Sequence, residues 1–153
     1  LEDMRNFVRP DAYDLVLNMF TSFGYFDDKQ EDVKVLQHIQ QSLKSGGACV
    51  LEMMGKEILA RIFQSTGAEE LPDGSILVQR REIFDAWSRI RNEWILIKEG
   101  KATSFKFHHT LYSGQELKDR LMQAGFSKVK LFGNLEGMEY GPGAYRLIAV
   151  GWK

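Results

Sequence analysis

Residues Tyr13 to Phe20 read YDLVLNMF, and this stretch decides the fold. Its apolar run is continuous rather than alternating, which predicts a strand covered on both faces, as in a parallel sheet. Thr21 to Asp28 follows as a loop with Gly24 inside and an acidic pair at its end. A helix is predicted from Glu31 to Leu43, because Val33, Leu36, Ile39 and Leu43 fall on one stripe at spacings of three and four. Lys44-Ser45-Gly46-Gly47 stops it with basic charge and glycine. Ala48 to Met54 (ACVLEMM) is a second buried strand. Strand, helix and strand form a βαβ unit, whose crossover is right-handed by the general rule.

The character of the chain then changes. Gly55 to Gln64 reads as a helix through Ile58, Leu59, Ile62 and Phe63, and Ser65 to Ser75 as a loop. Ile76 to Asp85, Arg89 to Lys98 and Ser104 to Tyr112 read as three strands, with Glu99-Gly100-Lys101 as a hairpin turn. They mix charged and aromatic residues, so one face is exposed or lines a cavity. Ser113 and Glu116 have the spacing of a capping box, which starts a helix running to Ala124 and ending at Gly125. Lys128 to Phe132 and Ala144 to Gly151 are the closing strands, separated by the glycine-rich loop Asn134 to Gly143. The pattern is α/β, with an antiparallel three-stranded meander inserted over 76–112.

The 153 residues suit one domain. Twenty Lys and Arg against 21 Asp and Glu give a net charge of −1, which argues against a general nucleic-acid binder. The single cysteine excludes a disulfide framework and a cysteine zinc site, and fits a reducing, cytoplasmic location. No apolar run approaches the roughly 20 residues that span a bilayer, and no membrane or metal partner is expected. The start, Leu1-Glu2-Asp3-Met4-Arg5, is charged from its second residue and lacks an initiator Met. It reads as a boundary left by processing or proteolysis rather than as a signal peptide.

The segments come in a telling order: Asp3-Met4-Arg5, then YDLVLNMFTSFGYF, the helix, LKSGGACVLEMMGKE, the meander, LYSGQELKDRLMQAGF and RLIAVGWK. This ordered set resembles the C-terminal part of a class I S-adenosylmethionine (SAM)-dependent methyltransferase over nearly the whole chain. Within that class it is similar to small-molecule enzymes such as amino-sugar N-methyltransferases, which carry a similar DMR segment and MFxSxG loop. The resemblance implies SAM as cofactor, a small-molecule acceptor, and methyl transfer to N or O by in-line displacement. The family's glycine-rich first motif, E/D-x-G-x-G, is absent, as is the acidic residue ending its second strand. Of the family's sheet order, 3-2-1-4-5-7-6, the chain then supplies an incomplete Rossmann-like sheet, the equivalents of strands 4-5-7-6. Residues 1–153 read as roughly the C-terminal two-thirds of an enzyme. Strand 13–20 is expected to present an open edge to an N-terminal segment or a second chain, a homodimer included. The fragment alone is expected to bind SAM weakly.

The same resemblance maps the family's adenine contacts onto Asp3 and Met4, against the plain reading of an acidic chain start. It puts Asn18, Met19 and Phe20 beside the cofactor, and strand carboxyl ends are where open α/β sheets bind ligands; Met19 and Phe20 read equally well as core. Tyr25 stands where the amino-sugar enzymes have a loop His near the acceptor. It is either an acceptor-positioning group or a packed aromatic, and a phenol with a pKa near 10 is a poor base. Phe26 belongs to the same loop. His38 lies opposite its helix's apolar stripe and reads as solvated. His108 and His109 point to opposite faces of one strand. His109 shares the face of Phe105 and Phe107 and reads as packing. His108 is the better general-base candidate if its face looks into the cleft. Arg89 in the insert and Tyr140 in the last loop are further acceptor-site candidates, the bland alternative being a solvated strand face and a structural loop. Two other readings stand beside the enzyme. One is a non-catalytic methyltransferase-like half-domain that assembles through its open edge. The other is an α/β nucleotide-dependent oxidoreductase, disfavoured by the late meander and terminal hairpin.

Overall fold

The computed structural model describes residues 2–153. Helix α1 (Lys29–Ser42) starts where the Asp28 carboxylate accepts the Gln30 N–H, which satisfies one of the donors a helix start leaves free. It connects β1 (Tyr13–Asn18) to β2 (Leu43–Met53), and the two strands pair in parallel. Leu43 is fully buried and extended, so β2 begins directly after the helix. The Lys44–Gly47 segment, expected as a helix stop, is therefore the first part of β2. Its extra residues are absorbed between the Tyr13↔Leu43 and Leu15↔Ala48 pairs. Gly46 takes a φ of +76°, and a Cβ on Gly47 would stand 3.1 Å from the Asp14 carbonyl, so glycine is needed at this irregularity.

Helix α2 (Lys56–Ile62) leads to a second sheet of β3 (Thr66–Glu70), β4 (Ile76–Phe84), β5 (Arg89–Lys98) and β6 (Lys101–Thr110). The sheet order is β3-β4-β5-β6, all antiparallel. The expected three-stranded meander is thus four-stranded. Thr66–Glu70 (TGAEE) has no apolar alternation to mark it as a strand; it becomes one by pairing with β4, Ala68 opposite Val78. Lys98 pairs with Lys101, which leaves Glu99 and Gly100 as a two-residue turn. Both have positive φ (50° and 74°), the type I′ geometry that matches strand twist.

Helix α3 (Gly114–Gln123) begins with both bonds of the capping box. Strands β7 (Lys128–Phe132) and β8 (Leu147–Trp152) complete the first sheet, in the order β1-β2-β8-β7. Only the β1–β2 pair is parallel there. Helices α1 and α3 pack against the sheet and each other. Leu36, Leu43, Cys49, Leu51, Leu117, Leu121, Phe126, Leu147 and Ala149 form the core between them.

Strand β1 lies at the edge of this sheet. Val16 packs against the core, but Leu15 and Leu17 point the other way and are 52% and 59% exposed. Among the described residues the strand is covered on one face, not on both. His38 also departs from expectation: it is half-buried, lining a groove with Met4, Phe7, Val35 and Ile39. Its Nδ1 has no partner among the described residues. The segment before β1 folds across this flank of α1, which helical periodicity alone could not reveal.

Candidate functional site

The carboxyl end of β1 opens onto a cavity of about 490 Å³ lined by Glu2, Asp3, Met4, Phe20, Thr21, Ser22, Tyr25 and Phe26. Two segments make it. The first is a turn in which the Asp3 carbonyl accepts the Asn6 and Phe7 N–H groups at 2.9 and 3.1 Å. Arg5 gives the Asp3 carboxylate its main-chain N–H and both Nε–H and Nη2–H. These bonds hold the Asp3 carboxyl down at about 2, so it is an anion at any physiological pH. The Arg5 guanidinium also stacks 4.8 Å above the Phe26 ring, which ties this turn to the loop opposite.

The second segment is the loop after β1. Phe20 and Thr21 both adopt left-handed backbone, with φ of 58° and 55°, a conformation that side chains with a Cβ resist. Glu52 and Arg146 hold them there. The Phe20 N–H donates to Glu52 Oε2 at 2.6 Å, and the Thr21 N–H donates to the Glu52 main-chain carbonyl at 3.1 Å. Arg146 donates through Nε to Glu52 Oε1 and through Nη2 to Thr21 Oγ1, the latter at 3.0 Å. Phe20 is thereby left 89% exposed at the cavity. Further along, Phe23 is buried against Tyr112. Gly24 has a φ of +95°, and its carbonyl accepts the Thr110 N–H at 2.7 Å. The loop is thus docked on the end of β6.

This docking brings Tyr25 to β6. Its ring lies 5.1 Å from that of His109 and 6.2 Å from Phe107, and Trp94 meets Phe107 edge-on at 5.1 Å. Burial raises the Tyr25 phenol above its ordinary pKa, so it stays protonated and can donate. Burial, and then the neighbouring His108, push His109 down to about 4, so it is neutral at pH 7. Its Nδ1 has no partner among the described residues.

Of the residues singled out from sequence, Asp3, Met4, Phe20, Tyr25 and Phe26 therefore share one cavity. Asn18 lines the adjoining groove, and Met19 is half-buried and lines neither. His109 touches the cavity wall through Tyr25. His108 and Arg89 do not line the cavity; both bind Asp27, the His108 Nε2 to its carboxylate at 2.8 Å and Arg89 to its carbonyl. Tyr140 stands apart, lining a separate depression with Glu57 and Arg61 and donating to Glu57 at 2.9 Å. Thr21 and Ser22, in the loop that the sequence pointed to, line the cavity as well, and the Glu52–Arg146 pair is an addition that the sequence-based candidates lack. A signal existed: Glu52 is the one charge inside the apolar strand Ala48–Met54. Among the described residues no three His, Cys, Asp or Glu side chains converge as a metal ion requires, and no helix is long and apolar enough to cross a membrane.

No family model and no curated protein matches the chain. Solved structures do. The methyltransferase CcbJ from Streptomyces caelestis superimposes with a TM-score of 0.83 at 16% identity, over 99% of this chain and 61% of its own. An amino pentose methyltransferase from Micromonospora echinaspora, solved with SAM bound, gives 0.70 at 19% identity, over 99% and 62%. A sugar N-methyltransferase from a Streptoalloteichus species gives 0.69 at 17% identity, over 99% and 60%. The chain thus has the fold of SAM-dependent methyltransferases, and it spans about three-fifths of the length of these solved structures.

Proposed function

We propose that the chain is the C-terminal part of a SAM-dependent methyltransferase that acts on N or O of a small molecule. The observation that carries this reading is the shared cavity at the carboxyl end of β1, where Asp3 and Met4 meet the Phe20–Phe26 loop. Ligands of open α/β sheets bind at strand carboxyl ends. The order β1-β2-β8-β7 supports equating these strands with the family's 4-5-7-6, and the second sheet with a lid inserted before α3.

The residues present fit the expected cofactor. Asp3 is an anion whose Oδ1 already accepts two Arg5 donors while Oδ2 accepts one, which leaves Oδ2 a lone pair for an adenine amino group, and Met4, Phe20 and Phe26 provide apolar and aromatic walls. When bound, SAM supplies a methyl group on a sulfonium, open to in-line displacement by the acceptor atom. The chain's own part is positioning, which dominates such a reaction. Tyr25 stays protonated and can donate a hydrogen bond to an acceptor oxygen or nitrogen. Its phenol is too weakly acidic to act as the base. His108, oriented by Asp27, is the remaining base candidate and needs the 24–28 loop to turn toward the cavity. In this reading Phe26 lines the acceptor side and His109 backs it through Tyr25; Arg89, bonded to the Asp27 carbonyl, and Tyr140 enter it only if their loops close over the cavity.

Calorimetric titration of SAM into the protein expressed from its complete reading frame tests the proposal. Saturable binding near one equivalent is expected, and no binding would end it. A second reading draws on the exposed Leu15 and Leu17 at the open edge of β1: a half-domain that assembles with another segment or a second copy without catalysis. Size-exclusion chromatography of the same protein, with a SAM titration beside it, separates the two. Self-association without cofactor binding favours assembly.

A further inference from the structure

We infer that Glu52 and Arg146 are positioning residues that set one wall of the cofactor cavity, an inference that rests on the proposal that this cavity holds SAM. The turn Phe20-Thr21 carries two consecutive non-glycine residues in left-handed backbone. Each such residue is uncommon and carries a backbone cost that local bonds must offset. Those surroundings are specific. Glu52 takes both amides of the turn, one with its side chain and one with its main-chain carbonyl. Arg146 spans from the Glu52 carboxylate to the Thr21 hydroxyl, which also accepts the Met54 N–H at 3.2 Å.

The pair is built for this task rather than for general stability. The Glu52 side chain is 8% exposed and that of Arg146 31% exposed. A buried ion pair is a weak source of stability compared with an apolar replacement, but losing one partner strands the other charge. Arg146 supplies a planar fork, so it reaches two acceptors at once, which a lysine cannot do in the same geometry. The consequence lies at Phe20. Its main chain is held from behind while its ring, 89% exposed, stands free at the cavity. Thr21, from the same turn, lines that cavity too. A change in the Glu52–Arg146 geometry therefore moves the wall directly.

The test uses the protein from its complete reading frame, with amide hydrogen exchange and SAM titration on each variant. Arg146→Met removes the fork. Thr21→Val removes only the hydroxyl anchor, leaves the ion pair intact, and serves if Arg146→Met does not fold. In either variant, exchange at the Phe20, Thr21 and Met54 amides is expected to speed up at least tenfold, while the core amides of β2 and β8 keep their protection. SAM affinity is expected to fall at least tenfold in Arg146→Met and about threefold in Thr21→Val. Arg146→Lys should fall between wild type and Arg146→Met. Unchanged exchange at the turn would overturn the inference, and so would wild-type SAM affinity in both variants. If the wild-type protein itself fails to bind SAM, the cofactor reading fails and takes the inference with it. If the wild type binds and the variants bind as tightly, the inference alone fails.

Discussion

Replacing Asp32 by Asn should remove a pH dependence of stability that the fold imposes. Asp32 is wholly buried on α1. One carboxyl oxygen accepts the Tyr112 hydroxyl at 2.6 Å, and the other has no partner among the described residues. Burial raises its pKa from 3.8 to about 6, against the opposing effect of the Tyr112 hydrogen bond. The folded state therefore holds this proton more tightly than the unfolded chain does. Between pH 3.8 and about 6, folding takes up a proton, so this group's contribution to stability falls as pH rises and stays level above that window. At ~1.4 kcal/mol per pKa unit, a shift of roughly two units corresponds to about 3 kcal/mol, of which about 2–3 kcal/mol falls between pH 4 and pH 7. Asn has nearly the same shape and does not titrate. Urea unfolding of wild type and Asp32→Asn at pH 4 and pH 7 measures the effect. The wild type should lose about 2–3 kcal/mol relative to the variant on going from pH 4 to pH 7. Other carboxylates titrate alike in both proteins and cancel in that difference. Parallel pH profiles would refute the reasoning, because they would mean that the buried carboxylate is solvated or paired in some other way.

Three other substitutions probe the scaffold around the cavity. Gly24→Ala forces a Cβ to 3.1 Å from the Thr110 carbonyl at a φ of +95°; a loss of about 1–3 kcal/mol by denaturant melts is expected, with faster exchange of the Thr110 amide. Ser113→Ala removes the side-chain half of the α3 capping box and should cost about 1 kcal/mol, read as a lower melting temperature with unchanged far-UV spectrum. Leu17→Lys tests the open face of β1. If a further segment of the complete protein covers that face, unfolding stability should drop by about 2 kcal/mol or more; a change within about 0.5 kcal/mol would show Leu17 facing water.

Much of the fold was legible because it is local. The Ser113–Glu116 box and the hairpin turn are short-range chemistry: the box stands where its residues indicate, and the turn expected at Glu99-Gly100-Lys101 is the two-residue Glu99-Gly100, with Lys101 already in β6. The βαβ start was equally readable, since α1 buries Val33 and Leu36 from the stripe that predicted it. Strand β3 was not legible, because TGAEE acquires its conformation from β4 rather than from its own composition. The Lys44–Gly47 segment misled in the opposite sense: glycines that elsewhere end a helix here serve an irregular parallel pairing.

The candidate site divides along the same line. The resemblance carried by the ordered segments singled out Asp3, Met4, Phe20, Tyr25 and Phe26, and the fold gathers these five at one cavity. Only tertiary structure separated Tyr140 from them and paired His108 with Asp27. Only tertiary structure joined Glu52 in β2 to Arg146, 94 positions away along the chain and immediately before the adjacent strand β8. Periodicity and turn chemistry act over a few residues. The ion pair that shapes the Phe20-Thr21 turn exists only once distant strands lie side by side and exclude water, and that is why no local pattern could announce it.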